Sequence, residues 1–153
     1  MEVSTPGRIC LFGEHQDYLG LPVIAMAISL RAKIIGEKRT DQKVIIHMPD
    51  IERTERFDLN DMEYRKERDY FKSGIRVCKK EGLSFASGFE CEISSDIPIK
   101  AGTSSSSAIV VSWINFLNQM AEEPFKWTKK EIGDLAFKAE VMEFEEPGGM
   151  MDQ

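Results

Sequence analysis

Apolar residues recur along this chain in stretches that predict strands first and helices later. Residues 3–12 and 22–38 are rich in Val, Ile, Leu and Ala and predict two long strands. Residues 44–48 and 54–59 predict a second pair, the latter because apolar and polar positions alternate. Residues 88–94 alternate in the same way, which is typical of a half-buried strand.

Three further segments have the spacing of helices. Residues 68–81 carry apolar side chains at helical intervals, and Gly82 is a plausible stop. Residues 105–120 predict a helix with a wide apolar face, so we expect this helix to lie in the core. A third helix begins at a capping box in residues 128–131, and we expect it to end at the Pro-Gly-Gly of residues 147–149. Because strands and helices do not alternate regularly, the pattern predicts an α+β fold.

Composition narrows the class of protein. The 153 residues fit one domain, residues 1–153, with 42% hydrophobic and 30% charged residues as in soluble globular proteins. A net charge of −6 without a dense Lys/Arg block argues against a nucleic-acid or membrane-surface partner. The three cysteines lack metal-type spacing and indicate a reducing, cytoplasmic compartment; Cys10 and Cys91 are expected in the core.

A run of small residues, AGTSSSSA, directly precedes the predicted helix of residues 105–120. It is not a Walker A loop, because no Gly-Lys-Ser/Thr follows the required gap. Gly102 nevertheless permits close backbone approach, and serine hydroxyls beside the free N–H groups of a helix N-terminus suit a phosphate. Serine is also a common N-cap, which explains one or two of the four serines. From these residues alone, phosphate binding and helix capping both remain open.

A second polar cluster, PGRICLFGEHQDY at residues 6–18, ends the first predicted strand. Its carboxylates accept hydrogen bonds from hydroxyls, and a neutral imidazole donates or accepts. A sugar needs several such groups converging, and these are usually mounted on loops of a rigid scaffold. Arg8 adds a fixed positive charge that can balance a phosphate. The simpler interpretation is a solvated turn with an incidental Glu–Arg ion pair, and composition alone favours it.

These two segments, together with PGGMMDQ at residues 147–153, resemble the N-terminal part of the GHMP small-molecule kinases, and within them the galactokinase branch. The resemblance covers the chain from end to end, with three motifs in the family's order and spacing. It implies a two-layer α+β domain of ribosomal-protein-like fold with a left-handed βαβ crossover. It also implies an ATP- and Mg²⁺-dependent kinase that converts a monosaccharide to its sugar 1-phosphate.

The resemblance further implies a role for each matching residue. Asp152 stands against the attacking hydroxyl, and Arg8 lies beside it. The positions that bind sugar hydroxyls are matched by Glu14, His15 and Asp17. Magnesium is held by Ser106 and Glu140, although Glu140 without the resemblance is read as a solvent-facing helical glutamate. The loop on the ATP phosphates comprises Gly102, Thr103, Ser104, Ser105, Ser106 and Ser107.

Departures from the family pattern bear on substrate and activity. Lys100, Thr103 and Ser107 replace the usual Gly, Leu and Ala, and Cys10 replaces an asparagine, so the sugar need not be galactose. The family continues past its aspartate into a C-terminal domain, whereas this chain ends one residue after Asp152. We therefore expect a fragment that is inactive alone and needs that domain or a partner chain. The alternatives are a kinase for mevalonate or another small alcohol, and a non-catalytic sugar- or nucleotide-sensing relative.

Overall fold

A five-stranded sheet forms one layer of the molecule. The computed structural model describes residues 1–14, 16–98, 102–145 and 149–153. The strands are β1 (Glu2–Phe12), β2 (Ile24–Lys38), β3 (Lys43–Met48), β4 (Arg53–Asp58) and β5 (Phe89–Ser95). In the sheet order β1-β2-β5-β3-β4, neighbouring strands are antiparallel except for the parallel pair β3 and β5.

Helices form the second layer, on one face of the sheet. They are α1 (Tyr70–Lys80), α2 (Ser105–Met120) and α3 (Lys129–Glu140). The sheet register shows which face they cover: Ile34 pairs with Ile93 and both are buried, whereas the adjacent pair of Ile35 and Glu92 is exposed. Alternate residues of a strand point to opposite faces. The predicted two-layer α+β architecture is therefore confirmed.

The core is centred on Trp113 of α2, which is fully buried. Its ring packs edge-on against Phe71 of α1 and Phe89 of β5, at centroid distances of 5.2 and 5.7 Å. The indole N–H donates to the Phe71 carbonyl at 3.0 Å, so its polar atom is also satisfied. Gly74 permits this close approach, because a Cβ there would lie 2.6 Å from Trp113 Cδ1. Helix α2 is thus the central helix that its apolar sequence predicts.

The expected end of the third helix was wrong. The capping box of Thr128 and Glu131 is formed as predicted, but α3 ends at Glu140 rather than at residues 147–149. A 3₁₀ turn, Met142–Phe144, follows and closes with Glu145 in a left-handed conformation, φ 52°. Tightening of a last helical turn into 3₁₀ geometry is common where the chain changes direction. Here the change directs the chain back toward β1.

Two further expectations concern the burial of Cys91 and Cys10. Cys91 is buried as predicted, but Cys10 is only half-buried, because this part of β1 lies at the end of a two-stranded ribbon.

Within β2, residues Ala32–Lys38 pair with β5. The first half of β2 therefore has β1 as its sheet neighbour. None of the described helices is long and apolar enough to cross a membrane.

Candidate active site

The serine-rich loop lies directly against the first strand. The backbone N–H of Arg8 donates to the Thr103 carbonyl at 3.2 Å. A Cβ on Gly7 would come within 3.1 Å of the same oxygen, so glycine permits the contact. About two helical turns into α2, the Ser112 hydroxyl donates to Thr5 Oγ1 at 2.8 Å and ties α2 to β1. The two motifs that are distant in sequence are therefore neighbours in space.

The N-terminus of α2 is open to a ligand. Its N-cap, Ser104, adopts a left-handed conformation with φ 52°, and its side chain makes no capping hydrogen bond. Ser105 is half-buried and Ser106 exposed at the helix mouth, whereas Ser107 is buried. The first turn carries no acidic residue. A helix of this length presents about half a positive elementary charge at this end, which suits an anion. Side-chain capping by Ser104, the simpler explanation, is not what the structure shows.

Arg8 and Asp152 form an ion pair between guanidinium Nη2 and carboxylate Oδ1. The Arg8 side chain is only 12% exposed, and Asp152 is 39% exposed. Within the described part of the chain, Arg8 Nε and Nη1 are buried without a hydrogen-bond partner. Buried donors are normally satisfied, so these two nitrogens fit an additional acceptor group at the site. The expected Glu–Arg ion pair is replaced by this pair with Asp152.

Asp17 lies beside the same terminal segment. It begins a 3₁₀ turn, Asp17–Leu19, and its carboxylate Oδ2 accepts the backbone N–H of Met151 at 3.0 Å. Gly149 passes over this carboxylate so closely that it leaves no room for a Cβ. Of the other two residues expected to bind sugar, Glu14 is exposed on the turn. His15 falls outside the described residues, as does Lys100.

Glu140 is buried, with 8% of its surface exposed, and is not the solvent-facing residue that its helical position suggests. The Gln153 side chain donates to Glu140 Oε2 at 2.8 Å. The preceding carbonyl, of Ala139, accepts a hydrogen bond from the buried Ser73 hydroxyl at 2.7 Å. The first contact holds the end of α3 next to the end of the chain, and the second holds it against α1. Glu140 is therefore held in place at the site by packing from two sides.

The turn that follows α3 is anchored by Glu143. Tyr64 O–H donates to Glu143 Oε2 at 2.7 Å, and Lys80 Nζ donates to Oε1 at 2.6 Å. Burial acts to raise the pKa of Glu143, but these two hydrogen bonds outweigh it, so the pKa is lowered. The ionised carboxylate joins α1 and the loop before it to the segment between Glu140 and Asp152.

The residues available for a metal are few. The described residues contain no group of three or more His, Cys, Asp or Glu side chains that could hold an ion. The donors implied by the family resemblance are the exposed hydroxyl of Ser106 and the carboxylate of Glu140. Mg²⁺ commonly takes only one or two protein ligands and completes its shell with phosphate oxygens and water. Two hard oxygen donors therefore fit a magnesium–nucleotide complex better than a metal bound by protein alone.

Sequence reasoning did not identify Gly7, Gly149 or Gln153 as part of this site. The sequence assigns Gly149 to a helix stop and gives no role to Gln153. Their roles depend on close contacts between distant segments, and no local pattern signals such contacts.

Comparison with known families identifies two matching families. Residues 69–153 match the family described as GHMP kinases N terminal domain. Residues 2–38 match the galactokinase galactose-binding signature. The galactokinase of Pyrococcus furiosus is 35% identical over 154 residues, which are 99% of this chain and 42% of that protein. The mevalonate kinase of the same organism is 30% identical over 149 residues, covering 91% of this chain and 44% of that protein.

Solved structures give the same result. Lactococcus lactis galactokinase complexed with galactose superposes with a TM-score of 0.87 at 28% identity, covering 99% of this chain and 40% of that one. Methanococcus jannaschii mevalonate kinase shares the fold, with a TM-score of 0.85 at 24% identity, over 99% of this chain and 49% of that one. The chain spans about 40% of the length of the curated galactokinases it matches. With a family match over more than half of its residues, the chain belongs to the GHMP kinases, as an N-terminal domain of that family.

Proposed function

We propose that this chain is the N-terminal part of an ATP-dependent sugar kinase that phosphorylates the anomeric hydroxyl of a monosaccharide. The products are a sugar 1-phosphate and ADP. The observation that carries the proposal is the Arg8–Asp152 ion pair, together with the hydrogen bond from the Arg8 backbone N–H to Thr103, two residues before α2 begins. One side of this arrangement suits a phosphate, and the other suits a hydroxyl group.

Phosphoryl transfer to a hydroxyl depends mainly on positioning and on neutralising the charge of the moving group. The backbone N–H groups at the start of α2, with Gly102, Thr103, Ser104, Ser105, Ser106 and Ser107 around them, bind the ATP phosphates in this proposal. Arg8 has two unused buried donors to direct at a phosphate oxygen. Asp152 accepts or orients the proton of the attacking hydroxyl. Bound Mg²⁺, held by Ser106 and Glu140, supplies further neutralisation of phosphate charge.

Recognition of the sugar is assigned to Glu14, His15 and Asp17. The match of residues 2–38 to a galactose-binding signature supports a sugar over mevalonate as the substrate. Carboxylates accept hydrogen bonds from neighbouring hydroxyls, so two of them on one turn suit a polyhydroxylated ring. A kinase acting on mevalonate is the second candidate, supported by the mevalonate kinase relatives.

We further propose that residues 1–153 form one domain and that the active enzyme contains more protein than this. Among the described residues, one large buried cluster extends from Val3 of β1 to Ala139 of α3, with a small cluster of Ala32, Ile97 and Ala108 besides it. The ribbon formed by the end of β1 and the start of β2 exposes large apolar side chains, among them Phe12 at 71% and Ile24 at 56%. Such surfaces are usually covered by other protein. A C-terminal domain, in the same or another chain, would cover these apolar side chains and close the site.

We assign the enzyme to the cytoplasm. Cys10, Cys78 and Cys91 all carry free thiols. Burial raises the pKa of the Cys78 and Cys91 thiols to about 12, which keeps them protonated and unreactive. Unpaired thiols of this kind persist in reducing compartments.

The test is a chimera in which this chain replaces the matching N-terminal part of Pyrococcus furiosus galactokinase. It is assayed with MgATP and a panel of monosaccharides and mevalonate, by coupled ADP detection and by ³¹P NMR of the product. We expect a sugar 1-phosphate signal with at least one monosaccharide, and none in the Asp152→Asn chimera. Phosphorylation of mevalonate alone would favour the second candidate. A folded chimera that binds ATP but phosphorylates none of these compounds would overturn the proposal.

A further inference from the structure

Three different elements hold three consecutive residues at the end of the chain. Asp17, from the turn after β1, accepts the N–H of Met151 at 3.0 Å. Arg8, from β1 itself, pairs with Asp152. Glu140, from α3, accepts the side chain of Gln153 at 2.8 Å. The position of the Asp152 carboxylate is therefore determined by contacts on both sides of it as well as by its own ion pair.

The contact made by Asp17 differs in kind from the other two. Arg8 and Glu140 contact side chains, which can rotate while the backbone remains in place. Asp17 contacts a backbone N–H, and the peptide unit that it holds directly precedes the residue bearing the carboxylate. A hydrogen bond from an amide to a charged acceptor is stronger than one between neutral groups. It fixes the direction from which the chain enters Asp152.

The close passage of Gly149 supports this interpretation. A Cβ at residue 149 would overlap the Asp17 carboxylate, so glycine is needed for the segment to lie on it. Only Oδ2 is used by Met151, and none of the described residues forms a hydrogen bond to Oδ1. Oδ2 therefore holds the protein backbone, and the described residues leave Oδ1 without a hydrogen bond.

We propose that Asp17 is a positioning residue: it sets the Asp152 carboxylate against Arg8 by holding the Met151 amide. Its second oxygen, Oδ1, takes the sugar hydroxyl, and this part alone rests on the proposed function. Substrate recognition and placement of the catalytic carboxylate are thus combined in one side chain.

The experiment measures the contact in residues 1–153 by NMR, without any need for kinase activity. Amide hydrogen exchange at Met151 reports the hydrogen bond, and the Arg8 Nε–H signal reports the pairing with Asp152. In Asp17→Ala we expect Met151 exchange to accelerate about tenfold or more, as for loss of a hydrogen bond to a charged acceptor. We also expect the Arg8 signal to move toward its position in an Asp152→Ala reference. Asp17→Asn retains a carbonyl acceptor and should restore most of the protection.

The matched control is Asp58→Ala. Asp58 also accepts a backbone N–H, that of Asn60 at 2.9 Å, but at the end of β4 on the opposite edge of the sheet. The Asp58→Ala variant should leave the Met151 exchange rate and the Arg8 Nε–H signal unchanged. Gly149→Ala should reproduce the effect of Asp17→Ala without altering the carboxylate. It replaces Asp17→Ala as the test if that variant does not fold. Unchanged Met151 exchange and Arg8 signals in folded Asp17→Ala or Gly149→Ala would overturn the inference. Because no substrate is added, failure of the sugar-kinase proposal would leave this result intact.

Discussion

The guanidinium of Arg8 pairs with the carboxylate of Asp152 and thereby joins the first strand to the end of the chain. The cation is almost enclosed, with 12% of its side chain exposed, whereas the anion is 39% exposed. The protein therefore holds its positive charge rigidly and leaves the carboxylate accessible to a ligand. This asymmetry is suited to a site where a bound hydroxyl meets a phosphate.

Replacing Asp152 with Asn in the chimera should reduce turnover while ligand affinity is retained. Asparagine keeps the size of the side chain but accepts no proton and does not pair with Arg8 as an anion. Loss of a group that assists proton transfer typically lowers kcat by about 10²- to 10⁴-fold. Steady-state kinetics and calorimetric binding of MgATP and sugar measure the two effects. A variant with unchanged turnover would show that Asp152 is not catalytic and would favour a sensing protein.

Residues 1–153 alone should have little or no kinase activity. The site is open to water on the side of Asp152, and solvent weakens each electrostatic interaction that phosphoryl transfer needs. The measurement compares ADP release by the isolated chain with that of the chimera at equal concentration. Isolated chain heated past its unfolding transition gives the background rate. Rapid, sugar-dependent turnover by the isolated chain would contradict the need for further protein.

Much of the fold could be predicted from local patterns. The position of α2 follows from its mostly apolar sequence, and the start of α3 follows from its capping box, because both signals are local in the sequence. The end of α3 could not be predicted. It depends on the burial of Glu140 and on the hydrogen bond from Ser73 to the Ala139 carbonyl, and Ser73 belongs to another helix, α1.

The site was predictable only through resemblance to a family. Periodicity assigns Glu140 to solvent, and composition leaves Arg8 in a solvated turn. Both residues acquire their environment from the terminal segment, residues 149–153, which folds back over β1 and α3. Contacts of this kind arise from the path of the whole chain, so no window of neighbouring residues contains the information.

Gly74→Ala should destabilise the protein, although alanine is the better helix former. The added Cβ would lie 2.6 Å from Trp113 Cδ1 in a fully packed core. Overpacking of this kind costs about 1–3 kcal/mol of unfolding free energy. Urea denaturation followed by tryptophan fluorescence measures it. Gly133→Ala in α3 is the comparison, since the nearest atom to its Cβ would be the Gln153 carbonyl oxygen at 3.3 Å, outside the aromatic core. Equal stability of the two variants would contradict this account of the core.

Stability should decline in acid partly through Asp41. Hydrogen bonding to Arg39, as the largest cause, lowers the pKa of Asp41 from 3.8 to about 2. A carboxyl whose pKa is lower in the folded state stabilises the protein above its unfolded pKa and loses that contribution as the pH falls toward the folded value. Urea midpoints at pH 5, 4 and 3 should therefore fall more steeply in the wild type than in Asp41→Asn. Glu37→Gln, at an exposed carboxylate, is the control and should follow the wild type. Parallel curves for Asp41→Asn and the wild type would refute the assignment.

Glu140→Gln should separate the structural role of this residue from its proposed role toward magnesium. Glutamine retains an oxygen that can accept the hydrogen bond from Gln153, so the end of α3 and the terminal segment should keep their places. It removes the negative charge, however, and a neutral amide oxygen is a weaker partner for a divalent cation than a carboxylate.

In the chimera we therefore expect the Mg²⁺ concentration for half-maximal turnover to rise by at least about tenfold, since even indirect changes around a metal cost that much. The urea midpoint should stay close to that of the parent. Glu140→Ala, which loses both the charge and the acceptor, should show the same magnesium effect together with reduced stability. If Glu140→Gln lowers stability and leaves the magnesium dependence unchanged, Glu140 is an anchor for Gln153 and the ion is held by other groups.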